Sequence, residues 1–561
     1  MGKGTKALAK GGLVKSDKSM VRKERLAGVI CSRRTLYVLC FMALNLIEFL
    51  RASQTGDIWH VAVNCTGFVV MIMIASAYPL KEFCTIPNGI YTVACVAAMA
   101  AVYFHWQQHV GEYLLWQVET AIINIWWIGI IVKHLFKKIV VDKTLSFRPG
   151  VLGWLWIAMS MLMIASVSQR LWPLWYLLMF GAFYLTKYGT EDRKALWDGM
   201  INGTVISFFC IQIYAYGFRP YDEVRYRGAY ANCNTIALYY LIVYMMCLYK
   251  LHMLKQRKAH WGRKLFYLVG AGGMLSFQIF TMGRTAWAGA VVVTILYGIL
   301  VIKNLWGKKW HQVLYRGVGL VVALAVTFLP VFYSIRWLPT ILHHPIWYDG
   351  EYYEGKVHSF DPADSEKYIE LEEFLEVLLG RIAGTLKIFG KLDPLMLKAY
   401  AADDEMRVIE PIDVPWTDDQ GIESRLAIYK AYLEDMTWYG NTPDKGFYKL
   451  GDTGYHSWHA QNVWIQIGYY FGIPAGILLV ALTIVMLWHH GKNLKKGKEN
   501  PYAIIPFFVC VLFTVYGVTE VVWYPGQLIM LLIFFVQHPQ LGDGDEAEML
   551  ADQGGAAATT E

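Results

Sequence analysis

The residues best equipped for chemistry are arginines. Arg219, Arg225 and Arg227 lie in GFRPYDEVRYRGAY, Arg284 in TMGRTAW and Arg425 in ESRLAIY. A guanidinium stays charged at any physiological pH and offers a planar fork matched to the oxygens of a phosphate or carboxylate. A second group begins at His456, HSWHAQNVWIQIGYYFGIPAGI, and supplies His459 and Asn462 on the first turn of a helix, with Gln466 one turn further on. Neutral imidazole takes a proton from a hydroxyl, and imidazolium binds phosphate; both roles stay open for His459. Glu520, between Thr519 and Val521, adds a carboxylate beside an apolar run. Each residue has an ordinary alternative: a carboxylate partner or snorkelling for an arginine, a structural place for the histidine, a salt bridge for Glu520. Their collection on one side favours an anionic ligand, a diphosphate above all.

The elements that must position them are membrane helices. Of 561 residues 56% are hydrophobic and 17% charged, whereas a soluble chain carries about a quarter charged. Stretches able to cross a bilayer run from 35 to 50, 58 to 79, 86 to 104, 112 to 132, 149 to 167, 171 to 186, 197 to 217, 231 to 251, 264 to 282, 285 to 302, 317 to 335, 462 to 488, 502 to 518 and 521 to 537. Tryptophans such as Trp126, Trp127, Trp172, Trp175 and Trp523 sit at the edges of these runs, where amphipathic rings meet headgroups. The expectation is an all-α polytopic membrane protein of about fourteen transmembrane helices.

A basic N-terminal tail without a cleavage-site pattern predicts a cytoplasmic start, and Lys and Arg then fall on alternate loops along the chain. Arg219, Arg225 and Arg227 are the exception, which calls for a reason other than orientation. The predicted organisation is a basic tail at 1–34, helices 1–11 at 35–335, an extracytoplasmic loop at 336–458, helices 12–14 at 459–540 and a disordered cytoplasmic tail at 541–561. Between Arg336 and Tyr455 there are 23 Asp and Glu against 12 Lys and Arg, a balance of minus eleven. Ile369, Phe374, Leu375, Leu378, Leu379 and Ile382 share one helical face there, predicting an amphipathic helix. A second helix is expected after Thr417 and Gln420, whose spacing is that of a capping box, and it carries Arg425.

Other polar residues suggest less. Glu48, His60, His109, Glu119 and Arg170 lie in or near spans with nothing to group them. Asp403-Asp404 and Asp418-Asp419 read as solvated carboxylates of an acidic loop. The nine cysteines lie in or beside apolar segments without a CxxC spacing, so no disulfide framework or metal site is expected.

From about residue 220 to 537 the order of these pieces resembles the O-antigen ligase and polymerase superfamily of bacterial membrane glycosyltransferases. YRGAYANCNTIALYY is similar to that family's arginine, glycine, aromatic and asparagine run entering a helix, and FTMGRTAW to its Ser-Arg stretch. SRLAIYKAYLEDMTWYGNTPDKGF resembles the loop arginine followed by a glycine-rich turn, and WHAQNVWIQIGYYFGIPAGI the histidine and asparagine pair leading into a long helix. The chain departs from the pattern at Gln461, where many members have a second histidine, and at Gly283, where serine is common.

The resemblance implies a GT-C-type bundle and a metal-independent, inverting transfer of glycan from undecaprenyl diphosphate at the outer face of the bacterial cytoplasmic membrane, without a cofactor. On that basis Arg225 or Arg227, Arg284 and Arg425 hold the diphosphate, with Arg219, Asn462 and Glu520 as further substrate contacts. His459 removes the acceptor proton or touches phosphate. A polymerase joining lipid-linked repeat units of a capsule or O-antigen-like polysaccharide leads, followed by a ligase delivering the finished chain to a lipid or cell-wall acceptor. Either would work among other polysaccharide-assembly proteins. A transporter or flippase of lipid-linked glycan is the alternative of another class, though transporters usually bind at mid-membrane.

Overall fold

The computed structural model describes residues 32–53, 59–106, 112–145, 147, 149–170, 172–218, 225–230, 232–342, 371–388, 422–442, 448–450, 455–457, 459–524 and 526–538. Arg219, His109, Asp403-Asp404, Asp418-Asp419, the Thr417–Gln420 cap and both chain ends lie outside these residues, as does the side chain of His60.

Each of the fourteen apolar stretches contains helix. In order these are α1 (Arg33–Ser53), α2 (Trp59–Ala75), α3 (Ile86–Trp106), α4 (Glu112–Phe136), α5 (Gly150–Ala165), α6 (Trp172–Leu185), α7 (Thr190–Phe218), α8 (Cys233–Gln256), α9 (Trp261–Phe280), α10 (Arg284–Leu305) and α11 (Trp310–Ile341). After the two loop helices α12 (Leu371–Ile388) and α13 (Ile422–Glu434) come α14 (Val463–Phe471), α15 (Ile473–Asn493), α16 (Ile505–Gly517) and α17 (Leu528–Gln537). Eight helices among the described residues are long and apolar enough to cross a membrane. Large apolar side chains such as Ile86 (81% exposed), Phe104 and Leu314 face outward, an arrangement that lipid stabilises and water does not.

The bundle is organised around α8, whose Tyr240, Leu241, Tyr244 and Met246 are fully or almost fully buried. It packs between α7 and α9, and α9 packs on α11. A close crossing joins α1 to α7 through Gly199 and Gly203, four residues apart. A Cβ on Gly199 would meet Tyr37 at 2.7 Å, and one on Gly203 would meet Phe41 at 2.7 Å. Two small residues one turn apart let helix backbones approach without a side chain between them, as membrane helices favour.

Two spans differ from the expectation of single helices. The stretch from 462 to 488 is broken into α14 and α15 at Gly472, whose φ of 100° is open to glycine and strained for other residues. The stretch from 521 to 537 becomes helical only at Leu528. Gly526 has a φ of 81°, which no residue of a right-handed helix adopts, so the helix begins beyond it. The intervening backbone is satisfied by protein: Tyr176 donates to the Trp523 carbonyl at 2.8 Å, and Tyr524 N–H donates to Gln527 Oε1 at 2.9 Å. Glu520 therefore sits in a turn after α16, not at the start of the last helix.

The loop helices dock on one end of the bundle. Phe374 of α12 is fully buried against Phe280 and Phe332, with ring centroids 5.2 and 6.0 Å away. Leu375, Leu379 and Ile382 stay exposed, so the apolar face divides between the bundle and the surroundings. Ile428 and Tyr432 of α13 form a small separate core with Ala460 and Tyr469. An unexpected antiparallel hairpin, Tyr448–Leu450 with Tyr455–Ser457, precedes His459. The sequence Gly451-Asp452-Thr453-Gly454 between its strands is rich in turn formers, a local signal that an all-helical reading passes over.

Candidate functional site

Four segments far apart in sequence meet at the short turn Val518–Glu520. From α13, Arg425 Nη1 donates to the Thr519 carbonyl at 3.1 Å, and one turn later Tyr429 Oη donates to the Val518 carbonyl at 2.5 Å. Asn462 Nδ2 also donates to Val518 O, at 3.2 Å. Thr285 of α10 meets Thr519 hydroxyl to hydroxyl at 2.7 Å. Asn234 of α8 donates through Nδ2 to Glu520 Oε1 at 3.0 Å.

Three helices begin here. Asn232 caps α8, Gly283 precedes α10 and Asn462 caps α14, with Asn462 Oδ1 accepting from Trp464 N–H at 3.1 Å and Ile465 N–H at 3.0 Å. Their N-terminal ends carry partial positive charge, which adds to the arginines and favours an anion. Two strained residues fall at the same place. Of five non-glycine residues with positive φ among those described, Met282 (49°) stands two residues before Arg284, and Gln461 (48°) between His459 and Asn462. Such conformations cost on the order of 1–3 kcal/mol and persist where the surroundings hold them.

The candidate arginines take different places. Arg225 donates through Nε to the Thr281 carbonyl at 3.1 Å and through Nη2 to Asn234 Oδ1 at 2.8 Å. Asn234 thus links the Arg225 guanidinium to the Glu520 carboxylate, so Arg225 is a tethered cation rather than a loose one. Arg227 is half-buried in the adjoining turn, where its carbonyl accepts from Tyr230 N–H at 3.0 Å and Gly228 has a φ of 54°. Arg284 is the first residue of α10, next to the Thr285 contact. Arg219 lies outside the described residues.

His459 is held by its own turn. Its Nδ1 accepts from the Gln461 N–H at 3.2 Å. Burial, and secondarily the nearby Arg425 cation, push its pKa down to about 4. At neutral pH the ring is therefore uncharged. With Nδ1 accepting, the ring proton is on Nε2, and His459 presents a donor. Gln466, one turn into α14, accepts from the Ala460 N–H at 2.6 Å and fixes the approach to the helix.

Sequence reasoning missed Asn234, Tyr429 and Thr519. Asn234 lies within the quoted run YRGAYANCNTIALYY, whose asparagines were the signal that could have singled it out; the other two carry none. Glu48, left ungrouped by sequence, lines a cavity with Asn234 and Glu520. Arg170, also ungrouped, stacks 3.6 Å from the Tyr470 ring centroid, with Nη1 3.5 Å from the Asn441 carbonyl. It braces the glycine-rich turn rather than the arginine site. Among the described residues no cluster of three or more His, Cys, Asp or Glu could hold a metal ion. Comparison with protein-family models, with curated proteins and with solved structures gives no match.

Proposed function

We propose that the chain is a membrane glycosyltransferase that polymerises undecaprenyl diphosphate-linked repeat units of a surface polysaccharide. The observation that carries this reading is the meeting of Arg225, Arg425, His459 and the start of α10, with Arg284, around one turn at one end of an apolar bundle. In this reading the helices make fourteen crossings of a GT-C-type bundle, the termini are cytoplasmic, and the site faces outward beneath the acidic loop.

A glycosyl diphosphate carries a good leaving group. The protein must hold it, stabilise the charge that develops on the departing oxygen, and orient an acceptor hydroxyl. Arg425 and Arg284 supply fixed positive charge, helped by the helix N-termini. His459 donates its Nε2–H to a diphosphate oxygen as a neutral imidazole, a phosphate contact made without the imidazolium charge expected for that role. The acceptor oxygen bonds to the anomeric carbon as the bond from that carbon to the diphosphate oxygen breaks.

The test is glycan transfer by purified protein from a lipid-linked donor, with Arg425→Ala and Arg284→Ala alongside. Loss of transfer of about 100-fold or more is expected from removing such fixed donors. Folded variants that keep the wild-type rate would refute the assignment. In cells lacking the protein, single repeat units accumulating on the carrier mark a polymerase, and long carrier-bound chains mark a ligase.

A further inference from the structure

Behind the turn lies a cavity of about 60 Å³ whose wall is mixed: Glu48, Tyr230, Asn234, Glu520 and Gln527 bring polar groups to it, and aliphatic side chains such as Leu238 and Val522 complete it. At roughly 15 Å³ for each water centre, that is room for about four waters. One end is the Glu520 carboxylate, oriented by Asn234. Glu48 on α1 also lines it, 7% exposed, and accepts from Arg51 Nη2 at 2.9 Å and Nε at 3.3 Å. The Tyr230 hydroxyl is fully buried in the wall and has no hydrogen-bond partner among the described residues. A buried hydroxyl is normally satisfied, so this one calls for water in the cavity.

Removing the acceptor proton needs a base beside the arginines. His459 is poorly suited, because its Nδ1 lone pair is taken by the Gln461 N–H. Glu520 belongs to the same turn that Arg425, Tyr429 and Asn462 hold, and its other side opens on the cavity.

Resting on the glycosyltransferase reading, we propose that Glu520 is the base that takes the acceptor proton, and that water in the cavity between Glu520, Tyr230 and Glu48 carries the proton away. As the acceptor oxygen bonds to the anomeric carbon, the electron pair of the breaking bond leaves with the diphosphate and the hydroxyl proton passes to a Glu520 oxygen. Glu520 then returns the proton to cavity water, which exchanges it with the aqueous side. Asn234 is a positioning residue in this scheme. Glu48, paired with Arg51, keeps the far end of the cavity polar.

The test measures turnover of lipid-linked donor and, separately, binding of undecaprenyl diphosphate, using the full chain in detergent. Glu520→Gln keeps an oxygen to accept from Asn234 but loses the basic site. It is expected to lower turnover about 100-fold or more, the usual contribution of a general base, with binding within about threefold. Glu520→Asp should recover at least about tenfold over Gln, since it restores a base at a longer reach. Tyr230→Phe removes only the cavity hydroxyl and should lower kcat several-fold without raising KM. A Glu520→Gln protein turning over within about threefold of wild type, or losing donor binding in step with rate, overturns the proposal while leaving the glycosyltransferase reading intact. A folded wild type that transfers no glycan refutes that reading first, and the proposal with it.

Discussion

His459 ties acid sensitivity to the site. In the folded chain its pKa lies at about 4, below the ordinary value of 6.5, because burial and then the Arg425 cation disfavour the imidazolium. The unfolded chain binds this proton more readily, so between pH 6.5 and 4 stability falls as pH falls. The full penalty, reached below pH 4, is about 3 kcal/mol from a difference of some 2.5 pKa units. At pH 5 the penalty is already about 2 kcal/mol, against about 0.2 kcal/mol at pH 7. The assay is chemical denaturation of purified protein in detergent at pH 7 and pH 5, wild type beside His459→Gln. Gln does not titrate, and its amide carries a donor near the Nε2 position. The variant should lose about 2 kcal/mol less than wild type on acidification. Equal losses in the two proteins would show that His459 is not held neutral by its surroundings.

Other perturbations test the positioning of the site. Arg425→Lys keeps the charge but loses the planar fork, and weaker binding of undecaprenyl diphosphate by about 10-fold or more is expected in equilibrium titration. Asn462→Ala removes two cap hydrogen bonds and the tie to Val518, a loss of about 1–2 kcal/mol that denaturation should report. Gly472→Ala forces a Cβ into the Trp438 carbonyl at a φ of 100°. It should cost at least about 2 kcal/mol and lower the midpoint of thermal unfolding.

The sequence makes the gross architecture legible because hydropathy is a property of contiguous residues: every apolar stretch contains helix. It does not resolve Gly472 or Val521–Gln527, since a hydropathy window passes smoothly over backbone that leaves the helix inside an apolar run. The arginines and His459 stood out because cations and imidazole are uncommon in such a chain. Asn234, Tyr429 and Thr519 are ordinary residues whose importance comes from partners far away, Asn234 meeting Glu520 across 286 positions. Glu48 looked isolated for the same reason, its companion across the cavity lying at the far end of the chain. The base assignment changed because the Gln461 N–H occupies His459 Nδ1, a contact made by backbone conformation rather than residue type.

The large loop grips the bundle at Val518 and Thr519 through carbonyl oxygens that Arg425 and Tyr429 reach, joined at Val518 by Asn462 of the α14 cap. Recognition is thus written in the main chain at that turn, and the side chain of Val518, 45% exposed, takes no part in these bonds. A library of apolar substitutions at 518 should pass a functional screen almost unfiltered. Proline at 520 should fail it, because it removes the Glu520 N–H that closes the turn on the Tyr516 carbonyl at 2.8 Å as well as the carboxylate. Mutational tolerance at 518 would then report how the loop is latched, and a tolerant position would mark one of the most consequential contacts in the molecule.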